Sequence, residues 1–380
     1  MSDSGSHQQS AGWVVRTATS LLARGGNLQS GVPAEALDEP ALREGLRAHM
    51  EAEESRQAAE EGRPPSQQVA IAAADDVLRE GRAALERASQ GASATALSEH
   101  ELDALQAIIQ VVGRPALRYR DGHVELPASQ VGENEYWHVF IATARKSIDR
   151  VSAAVGRVVY GRSEKIVGTG WRLGQDLIVT NRHVARYLVD SPDAPPTQWK
   201  LDASLVAVAD FAATDDARER SRFRIAALEY CAVEDRMDIA VLRITSQGDP
   251  FPEGFSFEPP PAAESVRVGA DVYVVGHPVN GKPTAVMKRV FGKIDGSKRC
   301  APGRITAVAA GAPTLEHDCS TLGGNSGSCV IGRANHRVLG IHCGSRGGNE
   351  AAGTALANRA VDLTRLGEHR LADILVKGRV

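Results

Sequence analysis

Gly323-Gly324-Asn325-Ser326-Gly327-Ser328 is the stretch that decides how this chain folds, and the apolar residues Cys329-Val330-Ile331 follow it directly. Glycines let the backbone turn tightly, and a short apolar run after a turn is typical of a buried strand. Such a turn exposes the Ser326 hydroxyl, and the amides of Gly324 and Ser326 can point at a developing negative charge. Ser326 is therefore a candidate nucleophile, with Gly324 and Ser326 as a candidate oxyanion hole.

Two earlier stretches also flank apolar runs. His183 lies in Thr180-Asn181-Arg182-His183-Val184 after Leu177-Ile178-Val179, and Asp238 opens the run that ends at Ile244. A serine hydroxyl is a weak nucleophile at neutral pH, so it needs an imidazole to take its proton and a carboxylate to fix the imidazole tautomer. We therefore predict His183 as the base and Asp238 as its partner, with Asp235 as the close competitor.

Each of these three stretches has a plainer explanation when taken alone. A lone histidine is more often packed or simply at the surface, a lone aspartate often caps a strand, and a glycine-rich serine turn is often only a turn. The three stretches together, each beside a strand-like run, argue against that explanation.

The order His, Asp, Ser is that of the chymotrypsin-type enzymes, and residues from about 155 to 380 resemble a trypsin-like serine protease of the bacterial kind. This part of the chain is similar to the glutamyl endopeptidases and the HtrA group. The resemblance is carried further by Val167-Gly168-Thr169-Gly170-Trp171, Val275-Gly276-His277-Pro278 and Leu339-Gly340-Ile341-His342. The resemblance implies an all-β fold of two six-stranded antiparallel barrels, with the active site in the cleft between them.

The same resemblance suggests the limits of each part. We expect a protease domain over 155–380, with barrels at about 155–250 and 262–360. The Pro/Gly-rich stretch from Gln247 to Glu264 would form the crossing between the barrels. A C-terminal helix is expected over 361–377.

The resemblance also implies a substrate pocket. In glutamyl endopeptidases, a threonine five residues before the nucleophile and a histidine on a later Gly-Ile-His strand bind an acidic side chain. Thr321 and His342 stand at those places. Ser320 at the pocket base removes the carboxylate that a trypsin uses for Lys or Arg, and Arg346 nearby adds positive potential. The alternative for His342 is a buried strand histidine with no ligand.

Asn325 departs from the pattern of animal trypsins. They carry an aspartate there, which pairs with a new N-terminal amine after zymogen cleavage. Asparagine has no charge for such a partner. We therefore expect control of the enzyme to come from elsewhere, and the N-terminal region is the candidate.

Residues 1–112 are rich in Ala, Glu, Gln, Arg and Leu, a composition that suits a mainly α-helical region. Helices are predicted over 12–24, 33–61 and 67–89, and a further helix from Ser98, where Glu101 completes a capping box. A small helical bundle or partner-docking region is the favoured interpretation. Partial disorder over 50–70, where Glu and Gln dominate, is the alternative.

Residues 113–154 form the predicted connector. Asp121-Gly122 lies between Leu117/Tyr119 and Val124/Leu126 and indicates a β-hairpin. Trp137, Phe140 and Ile141 then begin a helical apolar spacing that continues to Val151. We expect this connector to pack on the protease domain or to join it to the helical region.

Composition bounds the remaining possibilities. The chain has 380 residues, 42% of them hydrophobic, and a net charge of −3, which allows a large core and does not favour a nucleic-acid partner. No run of 18 apolar residues occurs, so no membrane helix is expected. The first ten residues lack the features of a secretory signal, so we expect a cytoplasmic protein, although a mature secreted form would look the same.

The five cysteines all lie in the protease region, and their odd number and spacing favour reduced thiols. Cys300 with Cys319, or Cys319 with Cys343, are the pairs that an oxidising compartment could join. None has the spacing of zinc ligands. We expect neither a metal nor a cofactor.

Taken together, these patterns predict a serine endopeptidase that acts through an acyl-enzyme, prefers acidic residues before the scissile bond and is regulated by its N-terminal region. Its expected partners are protein or peptide substrates and a regulatory protein that docks on the N-terminal helices. The alternatives are a catalytically silent or autoinhibited peptide-binding module, and an esterase on the same fold.

Overall fold

The structure is a computed structural model that describes residues 11–25, 34–93, 96–211, 221–234, 237–246, 248–255, 266–279, 285–292, 294–321, 323–345, 358–366 and 373–374. Within these ranges the helices are α1 (Ala11–Gly25), α2 (Pro40–Glu60), α3 (Gln67–Ser89), α4 (Glu99–Val112), α5 (Asn134–Ala153), α6 (Arg182–Ala185) and α7 (Ala285–Phe291). The strands are β1 (Leu117–Arg120), β2 (His123–Val124), β3 (Val155–Tyr160), β4 (Lys165–Leu173), β5 (Leu177–Thr180), β6 (Ala207–Asp210), β7 (Arg222–Cys231), β8 (Ala240–Thr245), β9 (Asp271–Gly276), β10 (Arg299–Val308), β11 (Thr314–His317), β12 (Cys329–Gly332), β13 (Val338–Ser345) and β14 (Asn358–Asp362).

The N-terminal region is a helical bundle, as predicted. The capping box is confirmed: Ser98 Oγ accepts a hydrogen bond from the amide of Glu101, and the Glu101 carboxylate accepts one from the amide of Ser98. The continuous helix predicted over 33–61 is wrong, because a 3-10 turn precedes a helix that starts at Pro40. Proline lacks an amide hydrogen and is best tolerated in the first helical turn.

The bundle has its own hydrophobic core, and a helix from the protease region completes it. Leu46, Leu105 and Ile108 are buried there beside Met287 and Val290 of α7. Helix α7 lies between β9 and β10 in the chain. The apolar face of the bundle is therefore covered by part of the second barrel.

The strands form two rings. The first is a closed barrel in the order β3-β4-β5-β8-β7-β6. In the second, the order β11-β14-β13-β12-β9-β10 is closed by pairing of β10 with β11, and the hairpin β1-β2 is added at β10. The prediction of two six-stranded antiparallel barrels with a helical N-terminal region is confirmed.

The connector is built into the core of the barrels. Strand β1 pairs with β10, with Leu117 opposite Cys300. The fully buried Trp137 of α5 donates from Nε1 to the carbonyl oxygen of Gly113 at 2.8 Å. One continuous core contains Leu117 and Trp137 together with Trp171 of the first barrel and Ile341 of the second. Removing the connector would expose this core to water, at a cost of about 1.5–3 kcal/mol for each large apolar side chain.

Lys298 joins the connector to both barrels. Its Nζ donates to the carbonyl oxygens of Ser152, at 2.8 Å, and Phe211, at 2.9 Å. Burial disfavours the ammonium form and lowers the pKa of Lys298 to about 7, although the charge of Asp210 acts in the opposite direction. The end of α5 and the residue after β6 are thus fixed to the start of β10.

The C-terminal helix predicted over 361–377 is wrong at its start. Val361 and Asp362 belong to β14, and Leu363–Arg365 form a 3-10 turn. Strand β14 pairs with both β11 and β13, so its backbone is required for barrel closure and cannot be helical. Residues 367–372 and 375–377 of the predicted helix lie outside the described residues.

The five cysteines are free thiols. Burial raises the pKa of the Cys329 thiol to about 12 and also raises that of Cys300, so these thiols stay protonated at neutral pH. In the described part of the chain, no helix is both long and apolar enough to cross a bilayer.

Candidate active site

His183 is positioned by the end of a buried strand. Strand β5 pairs with β8 so that Thr180 lies opposite Ala240. Asp238 comes two residues before β8, and His183 is the second residue of α6. The side-chain amide of Asn181 donates to the carbonyl oxygen of Asp238 at 2.7 Å. Strand pairing and this hydrogen bond therefore bring the histidine and the aspartate to the same edge of the first barrel.

The two side chains contact each other directly. His183 Nδ1 lies 2.6 Å from Asp238 Oδ2, and the His183 amide donates to Asp238 Oδ1 at 3.0 Å. An ionised carboxylate can only accept, so Nδ1 carries the proton and Nε2 is left with a lone pair. The His183 side chain is 44% exposed, so Nε2 can be reached from the cleft. This is the tautomer that a general base requires.

The electrostatics of Asp238 favour its charged form. Burial alone would raise the pKa of the Asp238 carboxyl. The side-chain hydrogen bond and charge of His183, together with the His183 amide, outweigh burial and hold that pKa below its ordinary value. Asp238 is therefore ionised at neutral pH and can stabilise an imidazolium beside it.

The turn that carries Ser326 requires its glycines. Gly324 has φ +85° and Gly327 has φ +92°, a region that side chains rarely adopt. A Cβ on Gly324 would collide with the carbonyl oxygen of His277, and one on Gly327 with that of Thr169. Within the described residues, the amides of Gly324 and Ser326 donate to no protein acceptor. Both amides are thus available to an oxyanion.

Thr169 links this turn to the first barrel, a role that was not predicted. Its amide donates to the carbonyl oxygen of Ser326 at 2.8 Å. Its hydroxyl donates to the carbonyl oxygen of Gly324 at 2.9 Å and accepts from the His277 amide at 3.0 Å. The sequence feature that could have indicated this role is Gly168-Thr169-Gly170. A Cβ added to Gly168 would lie 2.9 Å from the carbonyl oxygen of Ser326, which is too close for a side chain there. Close approach of the two barrels therefore explains the glycine.

The structure brings His183 and Asp238 into contact but gives Ser326 no hydrogen bond to His183 among the described residues. Ser326 reaches the site from the second barrel instead, through the backbone contact with Thr169. In unliganded enzymes, hydrogen bonds of this kind are often long and shorten only when substrate binds. Asp235, the competing aspartate, lies outside the described residues.

The pocket residues differ in their surroundings. Ser320 Oγ donates to the carbonyl oxygen of Arg114 at 2.6 Å, and Thr321 is buried. His342 is buried with its Nδ1 3.1 Å from Nε2 of His317. Its backbone also holds the Ser326 turn, because its amide donates to the carbonyl oxygen of Ser328 and its own carbonyl accepts from the Gly327 amide. Arg346 lies outside the described residues.

A cleft of about 370 Å³ opens beside the His183–Asp238 pair. Its walls come from both barrels and include Pro192 and Trp199 after α6, and Cys343 and Gly344 on β13. Arginines line it on both sides: Arg182, Arg186 and Arg359. The cleft therefore presents positive charge next to the His183–Asp238 pair.

Several buried histidines make the fold sensitive to acid. Burial lowers the pKa of His317 to about 4, and it holds the pKa values of His342 and His277 well below the ordinary value. Between about pH 4 and the unfolded value of about 6.5, the unfolded chain binds protons that the folded chain does not. Stability therefore falls as the pH falls through this window.

We expect the free energy of unfolding, measured by urea denaturation, to decrease from pH 7 to pH 5. Each such histidine contributes a slope of up to about 1.4 kcal/mol per pH unit. His317→Asn removes one of the groups that bind a proton only in the unfolded chain. The free energy of unfolding of this variant should therefore decrease less steeply with falling pH. Equal slopes for the variant and the wild type would contradict the assignment.

Comparisons with known proteins show what this part of the chain is similar to. Residues 168–341 match the family described as trypsin-like peptidase domain, a match that covers less than half of the chain.

Two curated relatives are similar to this chain in sequence. A probable serine protease of Lysobacter enzymogenes is 28% identical over 279 residues, which cover 64% of this chain and 70% of that protein. A glutamyl endopeptidase of Staphylococcus epidermidis is 27% identical over 179 residues, 47% of this chain and 54% of that protein. This chain thus spans about half the length of that second relative.

Two solved structures are also similar. Mouse brain neuropsin, a serine protease, aligns with a TM-score of 0.40 and 10% identity over 59% of this chain and 96% of its own. Deg5 aligns with a TM-score of 0.41 and 15% identity over 66% of this chain and 100% of its own.

Proposed function

We propose that this protein is a serine endopeptidase in which Ser326 is the nucleophile, His183 the general base and Asp238 the residue that orients it. The observation that carries the proposal is the hydrogen bond of 2.6 Å between His183 Nδ1 and Asp238 Oδ2 at the edge of the cleft. The available amides of the Ser326 turn and the trypsin-like peptidase match support it.

In the acylation step, Ser326 Oγ attacks the scissile carbonyl carbon while its proton passes to Nε2 of His183. The carbonyl oxygen becomes an oxyanion that accepts hydrogen bonds from the amides of Gly324 and Ser326. His183 then gives the proton to the leaving nitrogen, the C–N bond breaks and an acyl-enzyme remains. A water molecule then attacks the acyl carbon while its proton passes to Nε2 of His183. The bond between this carbon and Ser326 Oγ breaks, His183 returns the proton to Oγ, and the carboxylic acid leaves.

Labelling of the full-length protein with a fluorophosphonate tests this proposal. The reagent phosphonylates a serine only when a base and an oxyanion hole activate it, so we expect one modified residue, Ser326, identified by peptide mass spectrometry. The Ser326→Ala variant is the matched control and should remain unlabelled. Absence of label on the folded wild type would contradict an active protease.

We further propose a preference for acidic residues before the scissile bond. His342 Nδ1 contacts His317, which leaves Nε2 of His342 as the atom that can donate to a carboxylate. The arginines of the cleft add favourable potential. Similarity to a protein named glutamyl endopeptidase supports the same preference.

The preference can be measured with matched peptides that carry Glu or its neutral isostere Gln before the scissile bond. We expect Glu to be cleaved faster, and His342→Ala to lower kcat/KM for the Glu peptide about 10- to 100-fold, the loss of one hydrogen bond to a charged group. The Gln peptide should change much less. An equal loss for both peptides would indicate that His342 is a structural histidine.

We also propose that the N-terminal bundle regulates the protease and is the surface on which a regulatory protein would act. A catalytically silent peptide-binding module is the second candidate function, favoured by the absence of a Ser326–His183 hydrogen bond among the described residues. The two candidates differ in one observable. A silent module binds peptides without reacting with fluorophosphonate, whereas a protease is labelled and turns over substrate.

A further inference from the structure

The connector touches the segment that leads to the nucleophile. The backbone carbonyl of Arg114 accepts the hydrogen bond from Ser320 Oγ at 2.6 Å. Ala116, two residues further on, lines a small cavity together with Ser320 and Asn325. The residues that precede β1 therefore lie directly behind the pocket base and the nucleophile turn.

The side chain of Arg114 is entirely buried, and both of its terminal nitrogens have partners on this path. Nη2 donates to Asp318 Oδ2 at 2.6 Å, and Nη1 donates to the Glu133 carboxylate and to the carbonyl oxygen of Gly113. A guanidinium with no exposure is stable only when carboxylates compensate its desolvation. The charge of Arg114 thus fixes Asp318 against the connector.

Asp318 is the first residue after β11, and its own backbone is fixed as well. Its amide donates to the carbonyl oxygen of Arg304 at 3.0 Å, and its Oδ1 accepts from the Arg304 amide at 2.6 Å. The guanidinium of Arg304 donates in turn to Glu133 at 2.7 Å. Two arginines and two carboxylates thus anchor the start of the segment that runs from Asp318 to Ser326.

Residues on either side of α7 in the chain contact the same turn or each other. Val279 donates from its amide to the carbonyl oxygen of Gly323, and Gly296 donates to the carbonyl oxygen of Pro278 at 2.9 Å. His49 of α2 bonds the carbonyl oxygen of Val290 on α7 at 2.8 Å. The N-terminal bundle therefore contacts the helix that lies between Val279 and Gly296 in the chain, and Val279 contacts the Ser326 turn.

We propose that Arg114 is a positioning residue: from the connector it fixes the Asp318–Thr321 segment and, through it, the pocket wall and the Ser326 turn. The connector thereby fixes this turn without an ammonium contact at Asn325, because asparagine has no charge for such a partner. The proposal rests on the proposed protease function and identifies its regulatory contact. Loss of the Arg114 contacts between the connector and this segment is expected to lower the activity of the site.

The test compares Arg114→Gln with the wild type in the full-length protein. Two quantities are measured: the number of sites that react with a fluorophosphonate, and the second-order rate constant of that reaction. We expect the full number of sites but a rate constant, and a kcat/KM for peptides, about 10- to 100-fold lower, because the nucleophile turn is present but misplaced. A purely structural role would reduce the number of sites and leave the rate constant of the remaining sites unchanged.

Arg243→Gln is the matched control. Arg243 on β8 donates to two carboxylates, Asp176 and Glu229, as Arg114 does to its own two, but it pairs with Leu177 at the end of β5 that is opposite to His183. We expect less than a twofold change in the rate constant for this variant. Arg114→Lys keeps the charge but loses the planar fork, and it should recover part of the lost rate.

A second variant tests the positioning role if Arg114→Gln does not fold. Asp318→Asn removes the charge that faces Arg114 but keeps an oxygen for the Arg304 amide, and it should lower the rate constant in the same direction. Wild-type reaction rates in the folded Arg114 or Asp318 variants overturn the positioning role. A wild-type protein that is not labelled at Ser326 contradicts the protease function instead.

Discussion

Ser326→Ala and His183→Ala are each expected to lower kcat/KM for peptide hydrolysis by about 10⁴-fold or more while the fold is retained. The nucleophile and its base act as a unit, so loss of either removes proton transfer and covalent catalysis together. The measurement is steady-state cleavage of a peptide by each variant, with thermal unfolding as the check on folding.

A matched control exists elsewhere in the chain. His123 Nδ1 lies 2.7 Å from Asp149 Oδ2, a pair with the same chemistry outside the cleft, in which the His123 side chain is exposed. His123→Ala should change kcat/KM by less than about twofold, as is usual for surface substitutions. Substantial turnover by Ser326→Ala, or an equal loss in the His123 variant, would remove the basis for the assigned triad.

Asp238→Asn is expected to have the next largest effect, a decrease in kcat of about 10³- to 10⁴-fold. An amide in place of the carboxylate can donate to Nδ1 of His183, which moves the imidazole proton to Nε2 and prevents it from accepting the proton of Ser326. We expect kcat of this variant to stay low at alkaline pH as well, because an amide does not titrate and no pH restores the carboxylate.

Asp235→Asn is the comparison that identifies the triad aspartate. Asp235 precedes the apolar run rather than opening it, so its substitution should change kcat much less than that of Asp238. The opposite ranking would transfer the role to Asp235. Asp149→Asn, in the His123–Asp149 pair, serves as a further control with the same chemical change.

Local signals explain what could be predicted from the sequence. The capping box of Ser98 and Glu101 and the hairpin turn at Asp121-Gly122 depend on residues a few positions apart, and both form as predicted. The barrels were predicted because short motifs at each strand end resemble those of a known family. In each case the interaction that decides the structure is contained within one short stretch.

Distant contacts explain what could not be predicted. Leu363 and Leu366 gave a helical spacing, yet closure of the second barrel, which pairs β14 with β11 and β13, requires extended backbone through Asp362. Arg114 and Asp318 are separated by 204 positions, and no pattern in either stretch indicates the other. His317 is a single polar residue at a strand end, so its contact with His342 had no signal.

Helix α7 packs in the bundle core but lies between two strands of the second barrel in the chain. This arrangement limits the order in which the chain can fold during synthesis. The N-terminal helices leave the ribosome first, but His49 and its acceptor Val290 are separated by 241 positions. Until that acceptor has been made, at a translation rate of about 5–20 residues per second, the apolar face of the bundle stays open for ten seconds or more. A nascent chain of this length is therefore a natural substrate for holding chaperones. The finished bundle, in turn, requires synthesis to have passed α7, while strands β10 to β14 of the second barrel still follow in the chain.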